Sequence, residues 1–126
     1  MQPALAAGQR VLVSRVGGAP ARGDLVVLRS PLDPDALLVK RVVGLPGERV
    51  ETRGGRLFVG DMELVEPWVP AGAPRGSIAP VRVPPGHLFV LGDNRPESVD
   101  SRTFGPVEDR LLVGRVVASL WRPAGE

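Results

Sequence analysis

The stretch His87–Gly105, HLFVLGDNRPESVDSRTFG, decides how we expect this chain to fold. It begins as an apolar β-strand, His87–Leu91, and then changes abruptly into a loop with three acidic residues and two arginines. A tight turn between two strands needs little more than Asn-Gly or Asp-Gly. The loop therefore has more charge and hydrogen-bonding capacity than a connection requires, and we expect it to orient a neighbouring functional group.

Apolar, β-branched runs on both sides of this stretch predict further strands. Gly54-Gly55 predicts a hairpin between Glu48–Thr52 and Arg56–Val59. The other predicted strands are Val11–Val16, Leu25–Leu28, Ala36–Val43 and Leu111–Trp121.

Glycine and proline punctuate the chain too often for long helices. Residues 67–85 hold six of the 14 prolines, and we expect an ordered, irregular cap there. We predict one domain over residues 1–126, with a hairpin and cap-like insertion at about 48–85. The predicted fold is mainly β, with twisted antiparallel sheets forming a partly open barrel, a Pro/Gly-rich excursion and little helix.

Composition excludes several classes of function. The chain has no cysteine and a single histidine, so thiolate chemistry and a zinc site are not expected. A serine–histidine–aspartate triad would have to use His87, which follows a Pro-Pro-Gly turn. Basic residues are scattered, the net charge is +2, and neither a Gly-rich phosphate loop nor tyrosine is present. We expect no metal, no cofactor and no nucleic-acid partner.

Lys40 is the only lysine among 16 lysine and arginine residues, and it interrupts an apolar strand. Arginine stays protonated in proteins, whereas burial lowers the pKa of a lysine and can make its amine a base. Lys40 is therefore a candidate general base. The alternative is an exposed lysine paired with a carboxylate, for which the pKa would rise.

The residues around Lys40 suggest supporting contacts. Arg41 points to the opposite strand face, where Asp93 is the obvious carboxylate for a buried guanidinium. Asp100 and Arg102 can pair across one intervening residue, and Ser98 can hydrogen-bond the lysine amine. The alternative for all of these residues is a purely structural loop whose polar groups satisfy one another's hydrogen bonds.

Three segments in order complete the pattern: MQPAL with Gly8 and VLV at 11–13, KRVVGLPGE at 40–48, and GDNR, Ser98, DSR and Gly105 within 92–105. Together they resemble the motifs of the type I signal peptidases. The resemblance spans nearly the whole chain, and its second and third motifs are long and specific.

The resemblance implies a serine endopeptidase that cleaves signal peptides from exported proteins with a Ser/Lys dyad. Lys40 would be the general base, Ser98 would hold its amine, and Arg41–Asp93 and Asp100–Arg102 would be supporting ion pairs. Signal peptides would bind as an added strand in a groove lined by Met1, Pro3, Leu37, Leu38 and Val39. Such enzymes are held by an N-terminal membrane helix at the extracytoplasmic face of the cell membrane.

The family's nucleophilic serine would directly precede Met1. We therefore expect the nucleophile and the membrane anchor to be missing from this chain, as in a truncated ectodomain or a mis-started gene product. The chain as written is then expected to be inactive.

Other classes remain open from the sequence. A non-catalytic peptide-binding β-barrel module would share the fold and the groove without the chemistry. A self-cleaving repressor-type protease would need an Ala-Gly cleavage loop and a DNA-binding helical domain, and neither pattern is found. A basic nucleic-acid-binding barrel would require binding that depends steeply on salt.

Overall fold

The computed structural model describes the backbone of residues 10–14 and 19–121 and the side chains of residues 19–117. Met1 and Pro3, predicted to line a groove, lie outside these ranges. The strands are β1 (Arg10–Ser14), β2 (Leu25–Arg29), β3 (Leu37–Gly44), β4 (Arg49–Arg53), β5 (Arg56–Val59), β6 (Met62–Glu63), β7 (Val81–Arg82), β8 (His87–Leu91), β9 (Val107–Glu108) and β10 (Leu112–Trp121). The helical segments are α1 (Ser101–Phe104) and 3-10 turns at Arg95–Glu97 and Asp109–Leu111.

The strands form two antiparallel sheets. The larger has six strands in the order β1-β10-β2-β3-β8-β9, and the smaller has four in the order β6-β5-β4-β7. β3 lies inside the larger sheet, with β2 on one side and β8 on the other. β8 is paired with β3 and β9, and the polar loop follows directly from its end.

Alternating side chains of β3 and β8 build two apolar cores. Val43, Phe89 and Leu91 form one cluster with residues of the smaller sheet, Val50 and Leu57, and of the segment 67–85, Ile78 and Val83. Val42 and Val90 belong to a second cluster with Val26, Leu28, Leu88 and Val107. Because successive strand residues point to opposite faces, the same two strands bury apolar side chains on both sides of the larger sheet.

The chain passes from the larger to the smaller sheet at Gly44. A Cβ on this residue would lie 2.7 Å from Val50 Cγ2 and 2.9 Å from the Cβ of Phe89, so the close approach requires glycine. Glu48 closes the turn by accepting the backbone N–H of Leu45 at 2.6 Å and a bidentate ion pair from Arg22 at 2.7 and 2.8 Å.

Residues 67–85 adopt an ordered but largely irregular path across the smaller sheet. Val69 and Ile78 are buried, and Thr52 exchanges hydrogen bonds with Ile78 through its backbone N–H and its hydroxyl. Only the short strand β7 within this segment is regular, where it pairs with β4. Because proline lacks an N–H, this segment can join a sheet only over short stretches.

The prediction of a mainly β fold from antiparallel sheets with little helix is confirmed. Across the described ranges the two sheets do not close into a barrel. The helix α1 and the 3-10 turn at Arg95–Glu97 were not predicted from the sequence. No helix among the described residues has the length and apolar character needed to cross a membrane.

Candidate active site

The pairing of β3 with β8 brings Lys40 to the polar loop. Arg41 is opposite Leu91, the last residue of β8, so Lys40 lies beside the point where the chain leaves the sheet. Its side-chain Nζ donates a hydrogen bond of 2.9 Å to Ser98 Oγ. Lys40 is only 9% exposed. The predicted partners Lys40 and Ser98 are thus in contact across 58 residues of sequence.

Gly92 makes this contact possible and was absent from the predicted site. A Cβ at Gly92 would lie 1.9 Å from Ser98 Oγ, 2.5 Å from Ser98 Cβ and 3.4 Å from Lys40 Nζ. The space that a side chain would fill is therefore occupied by the serine and the lysine amine. The signal in the sequence was a glycine at the first position after an apolar strand, which often marks a close approach.

Burial lowers the pKa of Lys40, because the charged ammonium loses contact with water. Three neighbouring charges modify this effect: Asp100 raises the pKa, Arg102 lowers it, and Asp93 raises it. Desolvation is the largest cause, and the net direction is downward from the ordinary value of 10.5. The direction agrees with a buried base and not with the alternative of a lysine whose pKa is raised by a carboxylate.

Arg41 lies on the other strand face and forms an ion pair with Asp93. Its Nη2 and Nε donate to Asp93 at 2.6 and 3.2 Å, and the Asp93 side chain is fully buried. Arg41 Nη1 also donates to the carbonyl of Gly23, and the guanidinium stacks over Trp68 at 4.6 Å from the ring centroid. The pair connects β3 to the start of the loop and to the cap.

Asp100 and Arg102 form the second predicted ion pair, with Nη2–Oδ2 and Nε–Oδ1 distances of 2.8 and 2.9 Å. Asp100 also accepts the backbone N–H of Gly92 at 2.9 Å and caps α1 through the N–H of Arg102 at 3.0 Å. Burial raises the pKa of Asp100, but the hydrogen bonds from Arg102 and the two backbone amides outweigh it, so the net pKa is lowered.

The lowered pKa of Asp100 predicts a loss of stability in acid. Between the folded pKa and the ordinary value of 3.8 the unfolded chain binds more protons, so the free energy of unfolding falls as the pH falls through this window. Above 3.8 the contribution is fully present. We expect Asp100→Asn to lose stability at neutral pH. We also expect it to show a flatter acid limb, meaning a smaller fall in the free energy of unfolding in urea as the pH is lowered.

The control for this prediction is Asp61→Asn, because the Asp61 side chain is 98% exposed. Its acid limb should match that of the parent chain. An unchanged acid limb in Asp100→Asn would contradict the assignment.

A third ion pair in the loop was not predicted. Arg95 Nη2 contacts Glu66 Oε1 at 2.6 Å, and the two side chains are 1% and 2% exposed. Arg95 Nε donates to the carbonyl of Gly92 at 2.6 Å. The partners are 29 residues apart, and Glu66 lies at the border of the irregular cap. No local pattern indicated which acid would reach the loop.

The predicted groove residues Leu37, Leu38 and Val39 lie at the start of β3. They pair with β2, whereas the pairing with β8 begins only at Arg41. Among the described residues, no strand pairs with the other edge of 37–40. Leu37 is exposed, and Leu38 and Val39 are partly buried. An extended peptide can therefore add to this edge, next to Lys40.

His87 lies at the start of β8, opposite Glu108, with its Nδ1 2.8 Å from the carbonyl oxygen of Pro85. Its ring therefore contacts the turn that precedes β8. Over residues 19–117, no three His, Cys, Asp or Glu residues are grouped so that they could hold a metal ion.

Comparison with known proteins gives a consistent result. A family model described as signal peptidase, peptidase S26, matches residues 1–121. Thylakoidal processing peptidase 1 of Arabidopsis thaliana is 34% identical over 137 residues, which cover 98% of this chain and 40% of the relative. Signal peptidase I of Leptolyngbya laminosa is 34% identical over 132 residues, covering 96% of this chain and 64% of the relative.

A solved structure is also similar. The crystal structure of a signal peptidase I from Enterococcus faecalis V583 has a TM-score of 0.70 and 32% identity, and the match covers 79% of this chain and 98% of that chain. The chain spans 40% and 64% of the lengths of the two relatives named above. The motifs, the two-sheet fold and these matches agree, and the chain belongs to the signal peptidase family, peptidase S26.

Proposed function

We propose that this chain is the catalytic part of an endopeptidase that removes signal peptides from exported proteins by a Ser/Lys dyad. The observation that carries the proposal is the buried Lys40, whose amine is held 2.9 Å from Ser98 Oγ beside the edge of residues 37–40 that no other described strand covers. Residues 1–126 would act as one domain, with a hairpin and cap at about 48–85. The enzyme would work at the extracytoplasmic face of the cell membrane.

In this mechanism Lys40 is the general base. A neutral amine has two N–H groups and one lone pair, and donation to Ser98 Oγ fixes its orientation. The lone pair takes the proton of a serine hydroxyl while that oxygen attacks the scissile carbonyl carbon. Lys40 then gives the proton to the leaving amine, and water hydrolyses the acyl-enzyme. By the resemblance, the nucleophilic serine would directly precede Met1.

Arg41–Asp93 and Asp100–Arg102 would support the base by fixing the ends of the loop that surrounds it. The signal peptide would bind as an extended strand along Leu37–Val39, in a groove that Met1 and Pro3 would also line. This arrangement would bring the scissile bond close to Lys40 at the end of the open edge.

The experiment compares residues 1–126 with the same chain preceded by one serine, here called the serine-extended chain. Both are incubated with a preprotein in detergent, and the products are identified by mass spectrometry. We expect cleavage at the signal-peptide boundary by the serine-extended chain alone. An alanine in place of the added serine is the matched control. Equal cleavage with serine and alanine would refute the dyad.

A non-catalytic peptide-binding module is the second candidate, favoured by the same open edge of β3. It predicts saturable binding of signal peptides to residues 1–126 and no cleavage by the serine-extended chain.

A further inference from the structure

Glu66 joins the cap to the polar loop through a buried charge. Its side chain is 2% exposed, and its two oxygens contact Arg95 Nη2 at 2.6 Å and Arg75 Nε at 3.3 Å. Removing a carboxylate and a guanidinium from water is unfavourable unless their hydrogen bonds are satisfied. A pair buried this deeply points to a requirement for position rather than for stability alone.

Arg95 connects Glu66 to the backbone of Gly92. One side of its planar guanidinium faces Glu66, and its Nε donates to the Gly92 carbonyl at 2.6 Å. The backbone N–H of Gly92 donates to Asp100 Oδ2 at 2.9 Å. The backbone of Gly92 is thus held on both sides, by Arg95 and by Asp100.

The side chains of Lys40 and Ser98 also pack against Gly92. A Cβ there would be 1.9 Å from Ser98 Oγ and 3.4 Å from Lys40 Nζ, so a small displacement of this backbone changes the space for both groups. Arg102 reinforces the link, because it donates to the carbonyls of Arg95 and Arg75 at 2.8 and 3.3 Å.

We propose that Glu66 is a positioning residue which, through Arg95 and the carbonyl of Gly92, holds Lys40 and Ser98 in their contact. The cap then acts as part of the structure that orients the base, although it lies outside the loop in sequence. The consequence for catalysis rests on the proposed function, whereas the consequence for Lys40 itself does not.

The test uses the single lysine of the chain. Lysine labelled with ¹³C at Cε gives one side-chain signal, whose pH titration reports the pKa of Lys40 without any assay of cleavage. We expect Glu66→Gln to raise this pKa towards 10.5, because a displaced Gly92 admits water to the amine. Asp93, Asp100 and Arg102, the charged groups that act on Lys40, are unchanged in this variant.

The sign of the change is decisive. Loss of the negative charge of Glu66 by itself would disfavour the ammonium and lower the pKa of Lys40. A lowered or unchanged pKa in folded Glu66→Gln would therefore overturn the inference. The matched control is Glu63→Gln, three residues earlier, where the carboxylate is 41% exposed and pairs with Arg56 at 3.3 Å. Its titration should match that of the parent chain.

Two further measurements complete the design. In the serine-extended chain we expect Glu66→Gln to lower kcat by roughly 10- to 100-fold with little change in KM, as for a misplaced catalytic group. If Glu66→Gln does not fold, Glu66→Asp keeps the charge and shortens the reach, and an unchanged Lys40 titration in it would also overturn the inference. An inactive serine-extended chain, together with a raised Lys40 pKa in Glu66→Gln, would instead refute only the proposed function.

Discussion

Lys40→Met is expected to abolish cleavage by the serine-extended chain, with a loss of roughly 10⁴-fold, the upper range for removal of a general base. Methionine retains an unbranched apolar stem like that of lysine but provides no basic nitrogen. Cleavage rates of the serine-extended chain should rise with pH as Lys40 loses its proton, at a pH below the ordinary lysine value because burial lowers its pKa. Single-turnover cleavage across a pH series measures both effects.

The stability of Lys40→Met separates chemistry from folding. Because Lys40 is 9% exposed and burial is unfavourable for its charged form, we expect an equal or higher free energy of unfolding in urea. Arg110→Met is the control, since the Arg110 side chain is 70% exposed and lies in an exposed pair with Glu108. A folded Lys40→Met that still cleaves at the parent rate would eliminate Lys40 as the base.

Gly92→Ala is expected to damage both stability and activity. The new methyl group would be 1.9 Å from Ser98 Oγ and 2.5 Å from Ser98 Cβ, distances that force the loop to move. Overpacking of a tight site costs about 1–3 kcal/mol, and we expect the upper end here because the serine is held in the loop. The displaced Ser98 would release Lys40, so the serine-extended chain should lose activity by at least roughly 100-fold.

The matching second variant is Gly92→Ala combined with Ser98→Gly, which removes both colliding atoms. We expect it to recover most of the lost free energy of unfolding without recovering activity, because Lys40 Nζ then has no hydroxyl partner at residue 98. Urea unfolding of the single and double variants measures the recovery. A Gly92→Ala chain as stable as the parent, with an unchanged Lys40 titration, would show that the site tolerates a side chain.

Much of the sheet structure was predictable because local chemistry determines it. The strand His87–Leu91 has the predicted ends, and the hairpin around Gly54-Gly55 differs by one residue at each end of its first strand. β-Branched runs and Gly/Pro turns are local signals, and these elements need no distant contact to be recognised. The short helix α1 was missed because Asp100 was assigned only an ion pair, although an Asp before Ser-Arg-Thr is also a typical N-cap.

The candidate site was predictable where one strand and one loop supply it. Lys40, Arg41, Asp93, Ser98, Asp100 and Arg102 all lie in β3 or the loop, and the structure brings them together as expected. Their catalytic roles stay predictions. Glu66 could not be identified in the same way, because its contact with Arg95 depends on the path of the irregular cap. Closure of the sheets into a barrel likewise depends on strand stagger, which single-strand patterns do not specify.

Neighbouring cations on opposite faces of β3 make its alignment critical. Lys40 faces Ser98, and Arg41 faces Asp93. A slip of one residue would exchange the two faces. A guanidinium, which keeps its proton, would then replace the amine at Ser98, and two charges would be buried without their partners. Misaligned folding of this strand is therefore both energetically unfavourable and incompatible with proton transfer. The same pair of residues thus specifies the alignment of β3 and the placement of the base.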